Sequence, residues 1–358
     1  MRWNPSPTQL GLFDMLHSLV ARRLDVMVGL PDSAPSALAG AASQVSAQTL
    51  ISAGSMHRTS RGGFTPIGEA AWQTRAHLDS AGFTAMKQGG YRWSVSDYVE
   101  FVVTNGSRWT RDDGVSAMPL PWGWWSAMDY CCEPEIAKNR AEVNRRIDMT
   151  IESYGDTLEH LQNWYDEGVN DVPEPLPVLQ GRTAADYLRC ATGFARVRRE
   201  LDGCTCPGSN VHNEDEDTCT WQGAHHMDTD ANGIVLRGSP LPTLLGVGSV
   251  CRRNLHGPEG LLTILDALHD KLPKDVKLHL FGVKGQLLRH LAKYGDRIQS
   301  VDSMAWDMAA RRASKDRNAG LKCGDDGWQP NTREHRAGYL RRWYKKQIAT
   351  LPASMSRC

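Results

Sequence analysis

No apolar run in the 358 residues approaches the ~20 needed to span a bilayer. Net charge is missing too: 41 Lys and Arg balance 41 Asp and Glu, so no whole-molecule field draws the chain to nucleic acid, and any basic surface has to be local. Phosphate loops of the GxGxxG or GxxxxGK[ST] kind do not occur, which leaves an open doubly wound nucleotide-binding sheet without its usual signature. The nine cysteines are sparse and odd in number, which argues against a disulfide scaffold, and no charged start with an apolar signal core precedes Leu10. The expectation is a soluble, cytoplasmic protein with no membrane partner.

What is present is a recurrence. Short β-rich runs begin at residues 24, 48, 75, 122, 175, 243, 277 and 298, and most are followed by a stretch with helical spacing of apolar residues. Several end on a polar residue or a glycine: Asp79 after RAHL, Asp129 after WGWWSAM, Gln180 after PLPVL, Gly246 after TLL, Gly282 after KLHLF and Asp302 after RIQSV. Eight strand–helix alternations predict an α/β chain folded as a (β/α)8 TIM barrel over residues 24–310, preceded by a helix within 1–23 and followed by a basic helical extension over 311–358.

Catalytic groups in such a barrel sit where the strands end, the places held by Asp79, Asp129, Gln180 and Asp302. Each carboxylate taken alone could equally cap the loop or helix that follows it. Three carboxylates and an amide together suit a reaction that needs a nucleophile, a proton shuttle and a planar polar group read by hydrogen bonds. A metal-dependent barrel hydrolase would need His and Asp ligands at the strand ends, and no His-x-His occurs there.

Six segments carry a resemblance in register. LDSAGFT (78–84) is similar to the DSGGFQ motif of tRNA-guanine transglycosylases, and SAMDYCCEP (126–134) to their strand-end aspartate segment. VLQG (178–181) resembles IQGG, LLGVGS (244–249) resembles GLAVGE, HLFGVKG (279–285) resembles YLMGVGxP, and SVDSMAW (300–306) resembles FDCVLPT. The resemblance implies a base-exchange glycosyltransferase in which catalytic Asp302 attacks C1′ of a guanosine and holds the sugar as an ester. Asp79 would be the acid and base for the departing and arriving purines. Asp129 would accept from the N1 and 2-amino edge of the base and Gln180 would donate to its O6, with Ser80 and the backbone of Leu244, Leu245 and Gly246 completing a substrate pocket. No organic cofactor is implied.

The departures select a branch. The C-x-C-x-x-C zinc cluster that tRNA enzymes carry after the nucleophile has no counterpart here, Thr84 stands for the DSGGFQ glutamine, and Ser249 stands for the GLAVGE glutamate. These losses fit the DpdA-like phage and bacterial transglycosylases that insert 7-deazaguanines, such as 7-cyano-7-deazaguanine, into DNA. A tRNA-modifying enzyme and a non-catalytic nucleic-acid-binding barrel are the alternatives.

Two segments stand outside the alternation. Residues 203–233 are polar and carry Cys204, Cys206, His212, Cys219, His225 and His226. Thiolate and imidazole are preferred zinc ligands, and a loop without its own core gains order from a metal. A structural zinc on Cys204, Cys206, Cys219 and His225 is expected. From Arg311 to Lys346, eleven Lys and Arg face four acids, and Trp343 and Tyr344 lie among the cations. Cations that neutralise phosphates and aromatics that stack on a flipped base would make a nucleic-acid clamp, and a helix packed across the barrel end is the plainer reading.

Overall fold

The computed structural model describes residues 24–31, 36–67, 74–106, 122–169, 172–201, 229–230, 233–234, 240–323, 325–352 and 355. The expected helix within 1–23 and the Cys/His-rich ligands of 203–228 lie outside the described residues.

A single parallel sheet curls into a barrel. Its strands are β1 (Asp25–Leu30), β2 (Thr49–Ser52), β3 (Ala76–Asp79), β4 (Trp122–Ser126), β5, β6 (Leu244–Val247), β7 (Lys277–Leu280) and β8 (Ile298–Ser303). Strand β5 comes in two pieces, Pro175–Leu176 and Val178–Leu179. The first piece pairs with β4 and the second with β6, so the ring closes through β5. The expected eight strands therefore appear as nine hydrogen-bonded segments, because Pro177 interrupts the ladder. Proline has no N–H to contribute there.

Helices cover the outside: α1 (Ala37–Gln44), α2 (Gly82–Lys87), α3 (Val95–Gly106), α4 (Arg140–Asp166), α5 (Ala184–Leu201), α6 (Leu261–Lys271), α7 (Ala305–Arg317) and α8 (Arg333–Thr350). The stretch after β7 is a 3-10 helix, Gly285–Tyr294. Strand residues that point outward, such as Leu245, Leu278, Leu280 and Val301, join the helices in the larger core. Inward residues make a separate small cluster of Met27, Leu50, Trp124 and Leu176, against which Leu244 and Phe281 pack. The period-two alternation of the strands thus divides one sequence between two apolar environments.

The basic extension is part of the barrel wall. Helix α7 crosses residue 310, and α8 packs on α1, α7 and β1. Leu340 and Ala337 are buried, and Trp343 and Tyr344 lean on both main cores instead of standing free to stack on a base. Leu24 N donates to Met355 O at 3.4 Å, and Tyr344, Ile348 and Leu351 line a cavity with Leu24, Asp25 and Gln48. The chain's end thus covers the N-terminal end of β1, opposite the strand ends that carry Asp79 and Asp302. Arg342, Lys345 and Lys346 are exposed on that helix. No helix among the described residues is long and apolar enough to cross a membrane.

Candidate active site

Asp79 closes β3, Asp129 lies three residues past β4, Gln180 follows β5, and Asp302 is the fifth residue of β8. In the ring, β3, β4 and β5 are consecutive neighbours, and β8 lies across the mouth from β4. The four residues picked out in the sequence converge on one rim.

Asp129 and Gln180 form a bonded pair. Gln180 Nε2 donates to Asp129 Oδ2 at 2.5 Å, and the Ser80 hydroxyl donates to Asp129 Oδ1 at 2.7 Å. The Tyr91 hydroxyl accepts from Asp129 N at 3.1 Å and donates to Asp129 O at 3.0 Å. Ser249 Oγ meets Gln180 Oε1 at 2.5 Å and Glu133 Oε2 at 3.0 Å, while accepting from Cys132 N at 2.6 Å. A buried polar group costs free energy unless partnered, and this chain from Ser80 to Glu133 leaves few of its members unpartnered. Close packing fixes it: a Cβ on Gly82 would stand 2.5 Å from Asp129 Oδ1, and one on Gly248 would collide with the Gln180 amide. Arg253 ties the two loops together, donating to Gly181 O at 2.5 Å, Arg182 O at 2.7 Å and Ser249 O at 2.6 Å.

Leu244, Leu245 and Gly246 lie within β6 itself. The Gly246 amide donates to Pro177 O at 2.9 Å in the ladder, while Leu245 points outward into the larger core. The residues that approach Gln180 are Gly248 and Ser249, just past this strand.

Asp79 accepts from Ala81 N–H and from the Ser52 hydroxyl, yet its carboxyl is pushed up to about 8. Burial is the main cause, followed by the negative charges of Asp129 and Asp302. A minor part of its residue surface remains exposed, so the group is enclosed without being sealed. Asp129 rises only to about 6: burial lifts it, the Ser80 bond opposes that, and Glu133 adds repulsion. The charges of Asp129 and Asp302 both act on Asp79, and the proton affinities of Asp79 and Asp129 are thereby separated.

Asp302 Oδ1 accepts from Gly282 N at 2.7 Å and lies 3.5 Å from His279 Nε2. At the mouth, Phe83 carries Lys87 Nζ at 5.1 Å and the Arg252 guanidinium at 5.0 Å from its ring centre. Arg252 also pairs with Glu135 at 2.6 Å. The sequence reading missed Glu133, Tyr91, Arg253, His279 and this cationic pair. A histidine inside the apolar run KLHLF and a glutamate four residues beyond Asp129 were the available signals.

The thiols of Cys131, Cys132 and Cys190 are buried and that of Cys251 is half-buried. Burial raises Cys190 to about 12 and Cys251 to about 11, and drives Cys131 and Cys132 upward too. Among the described residues, no group of three or more His, Cys, Asp or Glu could hold a metal ion.

Compared with known proteins, the chain matches the family model described as DpdA, DeoxyPurine in DNA protein A, over residues 45–213 and 221–350. This chain belongs to the DpdA family. The match spans β2 to α8, so Asp79, Asp129 and Asp302 all fall within it. No curated protein matches the sequence.

Proposed function

We propose that this DpdA-family barrel exchanges guanine in DNA for a 7-deazaguanine through a covalent aspartyl–sugar ester. Asp302 Oδ2 attacks C1′ of a deoxyguanosine. The C1′–N9 bond breaks as the C1′–O bond forms, and its electron pair leaves with the purine. Asp79 gives that purine its proton. The incoming 7-deazaguanine returns a proton to Asp79 and its N9 displaces Asp302 from C1′, so the two displacements keep the sugar's configuration and need no external energy source.

The observation that carries this reading is the split between Asp79 and its neighbours. A carboxyl at about 8 holds a proton at neutral pH, as a general acid must, and it stands in a cluster with a second carboxyl at about 6 that serves as an acceptor. Asp129, as a carboxylate, matches the N1–H and 2-amino donors of guanine, and Gln180 Nε2 beside it can donate to O6. Adenine in that place would leave the buried carboxylate facing an acceptor. The family's description names deoxypurine in DNA, which favours DNA over tRNA as the polymer. A base in a duplex has to leave the stack to reach this rim, and Lys87 and Arg252 are placed to meet the phosphates beside it. A structural zinc on Cys204, Cys206, Cys219 and His225 remains part of this proposal, and retained zinc after dialysis, lost on Cys204→Ala, would support it.

Exchange of labelled guanine into DNA and into tRNA, with Asp302→Asn in parallel, tests the function. Incorporation into DNA that disappears in Asp302→Asn is the expected result. Incorporation into tRNA alone, or exchange that survives the substitution, overturns it.

A further inference from the structure

We infer that His279 is a positioning residue for Asp302: its Nε2–H holds one carboxylate oxygen in place and leaves the other aimed at the sugar. The inference rests on Asp302 being the nucleophile proposed above.

The alternation of β7 sets the placement. Leu278 and Leu280 face the helices, and His279 between them points into the barrel, where it is fully buried. An imidazole in that apolar interior needs partners for both nitrogens. His279 is registered opposite Ser300 of β8, and Nδ1 lies 2.8 Å from Ser300 Oγ. Nε2 has no hydrogen-bond partner at ordinary distance, and Asp302 Oδ1, two residues along the same strand from Ser300, stands 3.5 Å away. One ring therefore bridges two successive inward residues of the neighbouring strand.

The ring is held in place. Its centre lies 4.7 Å from Trp124 and 4.5 Å from Phe281. Trp124 packs in turn on His77 at 4.7 Å, and His77 Nε2 is fixed by Gln48 Oε1 at 2.8 Å. With Ser300 Oγ–H donating to Nδ1, the hydrogen sits on Nε2 and faces the carboxylate. The opposite tautomer would aim a lone pair at Asp302.

Gly282 N–H and His279 Nε2–H converge on Oδ1. Among the described residues Oδ2 accepts no hydrogen bond, so it is the oxygen free to form the bond to C1′. In the ester Oδ1 becomes the carbonyl oxygen, and the same two donors steady the charge that returns to it when the second purine displaces the carboxylate. His279 transfers no proton in either step. Its 3.5 Å separation is that of the free protein, and such contacts shorten when the reacting complex forms.

The test uses the full chain with His279→Phe, which keeps a flat apolar ring and removes the donor, and His279→Gln, whose amide can reach the same oxygen. His279→Phe is expected to lower kcat for guanine exchange about ten- to a hundredfold, as loss of one hydrogen bond to a carboxylate should. KM for DNA stays the same and the covalent protein–DNA adduct accumulates proportionately more slowly. His279→Gln is expected to recover most of the rate. A second readout needs no activity: in protein labelled with ¹⁵N-histidine, the His279 Nε2–H resonance should shift in Asp302→Asn.

A folded His279→Phe variant with wild-type kcat, or an Nε2–H resonance indifferent to Asp302→Asn, overturns the inference alone. Equal loss in Phe and Gln variants reduces His279 to packing and overturns it too. A wild-type protein that neither exchanges guanine nor forms an adduct overturns the parent reading, and the inference with it.

Discussion

The two sides of the rim are built differently. On the β3–β6 side, Asp129 has both oxygens engaged by Ser80 and Gln180, and Gln180 is engaged in turn by Ser249. On the β7–β8 side, Asp302 has one oxygen approached by two donors and the other left open. A group that reads a base profits from being fixed before the base arrives, since a misplaced partner loses selectivity. A group that forms a bond has to keep one atom unencumbered. Asp79, at the end of β3, is pressed by the negative charge of Asp129 on its own side and of Asp302 on the other.

The largest expected effect falls on the open side. Asp302→Asn should reduce guanine exchange by about a thousandfold or more, since the amide is a far poorer nucleophile, while the melting temperature changes little. Retained exchange in a labelled-guanine assay would erase the contrast between the sides. Next is Asp129→Asn on the bonded side. The new amide sets a donor against Gln180 Nε2 or Ser80, so exchange should fall about a hundredfold, and discrimination between guanine and hypoxanthine, which lacks the 2-amino group, should narrow.

Between the two lies a pH dependence. With Asp79 at about 8, exchange should decline above that pH as the acid is lost, and Asp79→Asn should remove that limb. The same shift acts on stability. The folded-state value lies above the unfolded one of about 4, so between those values the native state binds more protons. Stability conferred by this group is therefore present below about pH 4 and lost as pH rises to about 8. Melting curves should show Asp79→Asn more stable than wild type at pH 9 by a wider margin than at pH 5. A margin that grows toward acid would contradict the assigned environment.

The smallest effect is expected far from the rim. Replacing Arg342, Lys345 and Lys346 together by Ala should change DNA affinity less than about threefold at physiological salt, whereas Lys87→Ala with Arg252→Ala should weaken it several-fold and flatten its salt dependence. The reverse ranking would restore the C-terminal helix as the clamp.

Most of the barrel was legible in the sequence because each strand announces itself twice, by a short β-rich run and by the residue that ends it. Asp79, Asp129, Gln180 and Asp302 could be located for that reason. Features made of two-residue strands were not legible: the hairpin of His57–Arg58 with Gly63–Phe64 is too short for any periodicity. Pro177 hid the double pairing of β5, since one run of residues reads as one strand. For the C-terminal helix, adjacency in the chain left two readings open, a clamp and a packed helix. Trp343 and Tyr344 neighbour cations in the chain, but Leu340, Tyr344 and Ile348 recur at helical spacing, and that stripe faces the wall. His279 was passed over because a single polar residue in an apolar strand gains meaning only from the strand beside it.

Pro177 has a consequence for the barrel's motions. The ring is closed by a strand whose two short pieces each grip only one neighbour, and the interruption lies three residues before Gln180. If the barrel opens locally, the seam should part there first, releasing the amide of Gly246 from Pro177 O and that of Gly248 from Leu179 O. Hydrogen exchange at these two amides should then outpace exchange in β1 and β8, and a bound purine, by holding Gln180 at the end of β5, should slow it, acting as the stitch that the proline omits.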